Sequence, residues 1–166
     1  MTTRFPDERG YAAEIAISAP VERVFAALTT LDGLASWWTP EVSGSPERGG
    51  ELTFGFGLDK AELLVAEVVP PTSVVWTCLG HSKFHEWQNT TLIFAVRAQD
   101  AGSAVVALRH VGLIPTLDCY ALCARGWDHY LDSLGAYVEG KGGSPWGSQK
   151  QQSVKVALSK EVEHGT

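Results

Sequence analysis

The sequence predicts a single α+β domain in which a long, Trp-bearing C-terminal helix closes an apolar pocket over a curved antiparallel sheet. Between residues 52 and 111 the chain reads as one short strand after another, joined by turns with no room for a helical crossover. After Pro115 the apolar residues switch from alternation to a spacing of three and four, the signature of one helical stripe. The length of 166 residues suits one domain, and such a chain can bury roughly 70% of its unfolded surface.

Taken in order, residues 1–10 are a polar lead-in and residues 11–18 a moderately alternating first strand. Pro20 suits the first turn of a helix, where its missing N–H would have had no partner anyway, and Ser18 is placed to cap it. Val21, Val24, Phe25 and Leu28 then share one helical face. Residues 31–38 form a second short helix that stops at Thr39-Pro40, because the residue before a proline avoids the helical region. Trp37 and Trp38 are adjacent and so diverge, one packing inward and the other bordering the opening.

Gly49-Gly50 breaks the chain before Leu52, Phe54 and Phe56, which alternate onto one face of a strand. An apolar run over 61–69 ends at Pro70-Pro71. Strands at 74–78 (with Trp76), 90–97 (with Phe94) and 104–111 complete the set, the last two joined by a turn at 99–102. The final stripe runs Cys119, Cys123, Trp127, Tyr130, Leu134 and Tyr137 or Val138. Asp118 is placed to start this helix and Gly140 to Gly143 to end it. About 20–24 residues would span roughly 30–36 Å, long enough to cross a sheet. Residues 144–166 read as a polar tail, helical in part from 151 to 162, with Trp146 docked on the body.

Composition excludes several functions. The charge of −6 and the lack of any Lys/Arg run argue against nucleic acid. No stretch approaches the roughly 20 apolar residues that span a bilayer, so no membrane insertion is expected. The polar amino terminus has no apolar signal core, and a cytoplasmic location is the default expectation. Three cysteines, an odd number at low density, read as reduced thiols. Six Trp, six Phe and four Tyr are ample to line a cavity, since each buries about 150–250 Å².

Several segments together resemble a known family. These are Ser18-Ala-Pro-Val-Glu-Arg-Val-Phe-Ala-Ala-Leu28, Leu34-Ala-Ser-Trp-Trp38, Gly49-Gly-Glu-Leu-Thr-Phe54, Leu108-Arg-His-Val-Gly-Leu113 and Gly126-Trp-Asp-His-Tyr-Leu131. In this order, across residues 11–141, they resemble the heat-shock-protein-90 ATPase activator-like family of the START-like (SRPBCC, helix-grip) superfamily. The resemblance implies a curved sheet of six or seven strands that grips the last helix, with two short helices after the first strand. It also implies an apolar or amphipathic ligand held between helix and sheet.

The candidate site follows from the inward faces. Phe54, Phe56, Trp76 and Phe94 come from the strands, Trp38 from the second short helix and Trp87 from the loop between strands, while Cys123, Trp127, Tyr130 and Leu134 come from the last helix. Core packing alone accounts for Trp127 as readily as a role in the pocket ceiling; Tyr130 adds a directional hydroxyl. His110 shares the face of Val106 and Leu108, and a satisfied core histidine ranks ahead of a ligand contact or an acid–base role. His81 and His85 stand four apart, but between strands and without a third ligand, so no metal is expected; a solvated loop at the cavity mouth, with Trp87 as lid, ranks first. Cys119 and Cys123 read as small apolar packing rather than a zinc pair.

The functional expectation is a protein that binds a small hydrophobic or aromatic molecule, without cofactor. A cyclase, dehydratase or hydrolase using His110 with Tyr130 ranks second, and a chaperone-interacting protein third. Exposed strand edges leave a homodimer open.

Overall fold

The computed structural model describes residues 1–152. Eight antiparallel strands form one sheet in the order β1-β2-β8-β7-β6-β5-β4-β3. They span Thr3–Arg4 (β1), Gly10–Ile17 (β2), Val42–Gly44 (β3), Glu51–Phe56 (β4), Asp59–Val69 (β5), Ser73–His81 (β6), Thr91–Asp100 (β7) and Ser103–Val111 (β8). Helices α1 (Val21–Thr29) and α2 (Leu31–Trp37) lie between β2 and β3, and α3 (Tyr120–Val138) follows β8. The sheet exceeds the expected six or seven strands because β1 and β3 each extend it by two or three residues. Strands that short show no alternation for a sequence to reveal.

Alternation sets the inward face. Tyr11, Ala13, Ile15 and Ile17 of β2 are buried, as are Val74, Trp76 and Cys78 of β6 and Leu92, Phe94 and Val96 of β7. Register shifts at Glu62/Leu63 and Val65/Glu67 interrupt the β5–β6 ladder, and such bulges bend and twist a strand. The curved sheet wraps one side of α3, and α1 and α2 cover the rest of the core.

The helix ends differ from the sequence expectation. Pro20 is itself the N-cap of α1, in extended conformation and with no side-chain cap. Ser18 instead donates its backbone N–H to the Glu139 carboxylate at 2.7 Å. The α1–α2 junction needs a glycine, since a Cβ on Gly33 would lie 2.7 Å from Ala27 Cα. Thr30 caps α2 by accepting from Gly33 N at 3.1 Å. Asp118 does not cap α3; the Glu86 carboxylate accepts from Cys119 N at 3.1 Å and lies 3.4 Å from Asp118 N.

Both ends of the described chain are tied to α3. Arg4 forms a two-toothed pair with Asp128, whose carboxylate also accepts from the Tyr11 hydroxyl at 2.7 Å. After α3, the buried Ser133 hydroxyl donates to Trp37 O at 2.8 Å and accepts from Ser144 N at 2.6 Å. Trp146 N donates to Trp38 O at 2.6 Å, so residues 143–147 form a strap across α2. Helix begins again at 149–152; the rest of the expected helical stretch to 162 lies outside the described residues. No helix among those described is long and apolar enough to cross a membrane.

Candidate ligand-binding cleft

The inward indoles build a continuous aromatic floor. Trp38 stacks on Trp76 with centroids 6.2 Å apart and leans on Trp127 at 5.0 Å. Trp127 in turn stacks on Trp87 at 5.9 Å. Trp87 belongs to a 3-10 turn, His85–Trp87, in the β6–β7 loop. Its indole N–H donates to Cys123 Sγ at 3.2 Å, while the neighbouring Glu86 caps α3. The loop is thereby clamped to the helix at two points, and Trp87 is a fixed wall, only 6% exposed. Its expected role as a lid over a solvated loop gives way to this anchored position.

A cleft of about 260 Å³ opens beside that wall. Trp38, Trp87 and Trp127 form its floor, and Phe56, Phe84 and Trp146 form its sides. Trp146 reaches it through the strap and meets Phe56 edge-on at 6.2 Å. Polar groups stand around the apolar slot: His81 on β6, Tyr130 and His129 on α3, and Asp59, Lys83 and Gln151.

Of the residues expected at the site, Trp38, Phe56, Trp87, Cys123, Trp127 and Tyr130 line the cleft. The structure places Phe54, Trp76, Phe94, His110 and Leu134 deeper, in the filled core with no surface exposed. Residues of one inward face therefore split between cleft and core. Trp37 and Trp38 are both buried, and of the two Trp38 reaches the cleft.

His110 is fully engaged. Trp127 Nε1 donates to its Nδ1 at 3.0 Å, so the ring hydrogen sits on Nε2, 2.9 Å from Thr90 Oγ1. Thr90 passes its own hydrogen to Trp87 O at 2.6 Å. Burial pushes the His110 pKa down to about 3. With both ring nitrogens in use it shares no hydrogen bond with Tyr130, and the acid–base pair that the second-ranked reading required does not form.

Tyr130 is half-buried beside Trp38, 6.4 Å between ring centroids, and burial raises the pKa of its phenol. Burial also holds the thiols of Cys78, Cys119 and Cys123 above the ordinary range. That keeps them protonated and poor nucleophiles at neutral pH. Among the described residues no group of three or more His, Cys, Asp or Glu is arranged to hold a metal ion.

Sequence reasoning left Phe84, Leu122, His129 and Gln151 unassigned to the site, and put His81 in a solvated loop at the cavity mouth rather than on a strand. His81 closes β6 and carries the inward alternation of Trp76 and Cys78 across Gly80. That irregular step hid it from a strict period of two.

Residues 18–139 match the family described as Activator of Hsp90 ATPase homolog 1-like protein. No curated protein matches the chain. Among solved structures, the Aha1 dimer from Colwellia psychrerythraea is similar at 29% identity and a TM-score of 0.70, with 78% of this chain and 96% of that one covered. CalU16 from Micromonospora echinospora is similar at 17% identity and a TM-score of 0.64, over 93% and 88% of the two chains. A conserved protein of unknown function from Enterococcus faecalis, EF2215, reaches 0.61 at 18% identity over 98% and 91%. At the last two identities the likeness is one of fold. The helix gripped by a curved sheet and the match across residues 18–139 lead to one conclusion: the chain belongs to the Activator of Hsp90 ATPase homolog 1-like family.

Proposed function

We propose that this protein binds a small aromatic or apolar molecule in the cleft between the sheet, the β6–β7 loop and α3. The observation that carries this reading is an open space of about 260 Å³ lined by three indoles that are themselves buried. Ligand sites commonly measure roughly 300–1,000 Å³, so the occupant is small, one or two rings. Titration calorimetry with a panel of one- and two-ring aromatics tests the reading. Saturable binding that is lost on Trp127→Ala or Trp38→Ala supports it, and heats no larger than dilution across the panel would sink it.

The family match supports a second reading, contact with an Hsp90-type chaperone. An unchanged chaperone ATPase rate with this protein in excess would remove it. The structural neighbour solved as a dimer supports self-association as a further property. Light scattering across a concentration series decides that, with the monomer mass throughout counting against it.

A further inference from the structure

We propose that the cleft selects a planar aromatic molecule carrying a hydrogen-bond-accepting oxygen, such as an aryl ketone or quinone, and that His81 Nε2–H donates to that oxygen. The proposal rests on the cleft being a ligand site and deepens that reading.

His81 Nδ1 accepts two backbone N–H groups of its own loop, from Lys83 and Phe84, each at 3.1 Å. A nitrogen that accepts cannot also carry the ring hydrogen, so the hydrogen is held on Nε2. Burial lowers the His81 pKa to about 4, and at neutral pH the ring is an uncharged donor. No described residue accepts from Nε2, and the atom is not sealed in the protein. The ring itself lines the cleft. It lies parallel to Phe56, 7° between planes and 6.1 Å between centroids, and meets Trp87 at 5.0 Å. Those neighbours fix its orientation without using its hydrogen.

The remaining polar groups narrow the class. Lys83 and Asp59 place opposite charges at the cleft. Lys83 Nζ lies 5.3 Å over the Phe84 ring, and Asp59 accepts from Ser82 Oγ at 2.9 Å. Neither sign dominates, which favours a neutral ligand. His129 donates to Ser144 O at 2.8 Å, because a carbonyl can only accept. Cys123 Sγ receives the Trp87 indole hydrogen. Of the donors at the cleft, the Tyr130 hydroxyl, Lys83 Nζ and the Gln151 amide sit on rotatable ends, whereas His81 Nε2–H is fixed in direction. A fixed donor inside an aromatic slot discriminates by oxygen, since a hydrocarbon of the same shape leaves it unpaired.

The test compares matched pairs by titration calorimetry on the full chain: acetophenone against ethylbenzene, and 2-acetonaphthone against 2-ethylnaphthalene. Each ketone is expected to bind about three- to tenfold tighter than its hydrocarbon, the range of one net hydrogen bond. His81→Asn keeps an acceptor for the two backbone N–H groups but has no Nε2–H, and it should bring each pair to within about twofold. In parallel, the His81 Nε2–H proton resonance of the unmodified protein should move further downfield with each ketone than with its matched hydrocarbon, whose ring current is similar. If the asparagine variant fails to fold, this resonance and the unmodified protein's preference decide. Equal affinities within each pair, or a resonance moved no further downfield by ketone than by hydrocarbon, overturn the proposal and leave the cleft a ligand site. No binding of any of the four compounds overturns both.

Discussion

At His110 the imidazole accepts the Trp127 indole hydrogen on one nitrogen and faces Thr90 with the other, with no exposed surface. Trp127→Phe keeps most of the packing but strands Nδ1, and should cost about 1–3 kcal/mol in urea unfolding. Trp127→Ala adds a cavity and should cost about 3–5 kcal/mol. The pH dependence has a defined sign. The folded His110 pKa of about 3 lies below the ordinary value of 6.5, so as pH falls the unfolded chain takes up the proton first. Stability is therefore full above the ordinary value and declines toward pH 3, at up to about 1.4 kcal/mol per pH unit. His81, held at about 4, acts in the same direction. The carboxylates of Asp7, Asp100 and Glu139 are lowered too, but their losses come only in the carboxylate range. Unfolding measured from pH 6.5 to 5 isolates the histidines, and His110→Gln should remove about one proton from that slope. Alternation along β8 was enough to turn His110 inward. It could not supply Thr90 on the neighbouring chain segment or Trp127 on the helix, because those partners are set by tertiary register.

The β6–β7 loop and α3 hold each other through Glu86 and Trp87. Glu86→Ala removes the carboxylate from the backbone N–H groups at the start of α3. It should cost about 0.5–2 kcal/mol, as other cap removals do, and hydrogen exchange should rise at residues 119–123 before it rises elsewhere. A sequence reading looks for a cap within a few residues of its helix, which is why Asp118 was nominated and Glu86 was not. The strap is a second connection of this kind. Ser133→Ala would leave Trp37 O and Ser144 N without their buried hydroxyl. A loss of about 1–3 kcal/mol is expected from calorimetric unfolding, with weaker ligand binding because Trp146 follows the strap. The helical stripe was legible from its spacing. Its polar interruption at Ser133 was not, since nothing local marks a serine as the hub between two elements.

For the molecule as a whole, order of elements was the readable quantity. Turn-separated strands, two short helices and one long stripe fix the class, while the edge strands β1 and β3 and the division between filled core and cleft arise from how the sheet bends. An aromatic ligand held only by the folded state should stabilise it by mass action. At a hundredfold excess over Kd that is about 2.7 kcal/mol, which for a chain of this size corresponds to a Tm rise of roughly 5–10 °C; no rise for a compound that binds in calorimetry would place it outside this cleft. The aromatic floor has one more consequence. Trp37, Trp38 and Trp76 stack in sequence with interplanar angles of 16° and 13°, and Trp87 stacks on Trp127 at 18°. Indoles this close and this nearly parallel do not absorb light independently: their transition dipoles couple, and excitation passes from ring to ring. The folded protein should therefore carry a near-ultraviolet circular-dichroism signature of the assembled stack, and a quencher seated at one edge of it would dim the emission of them all.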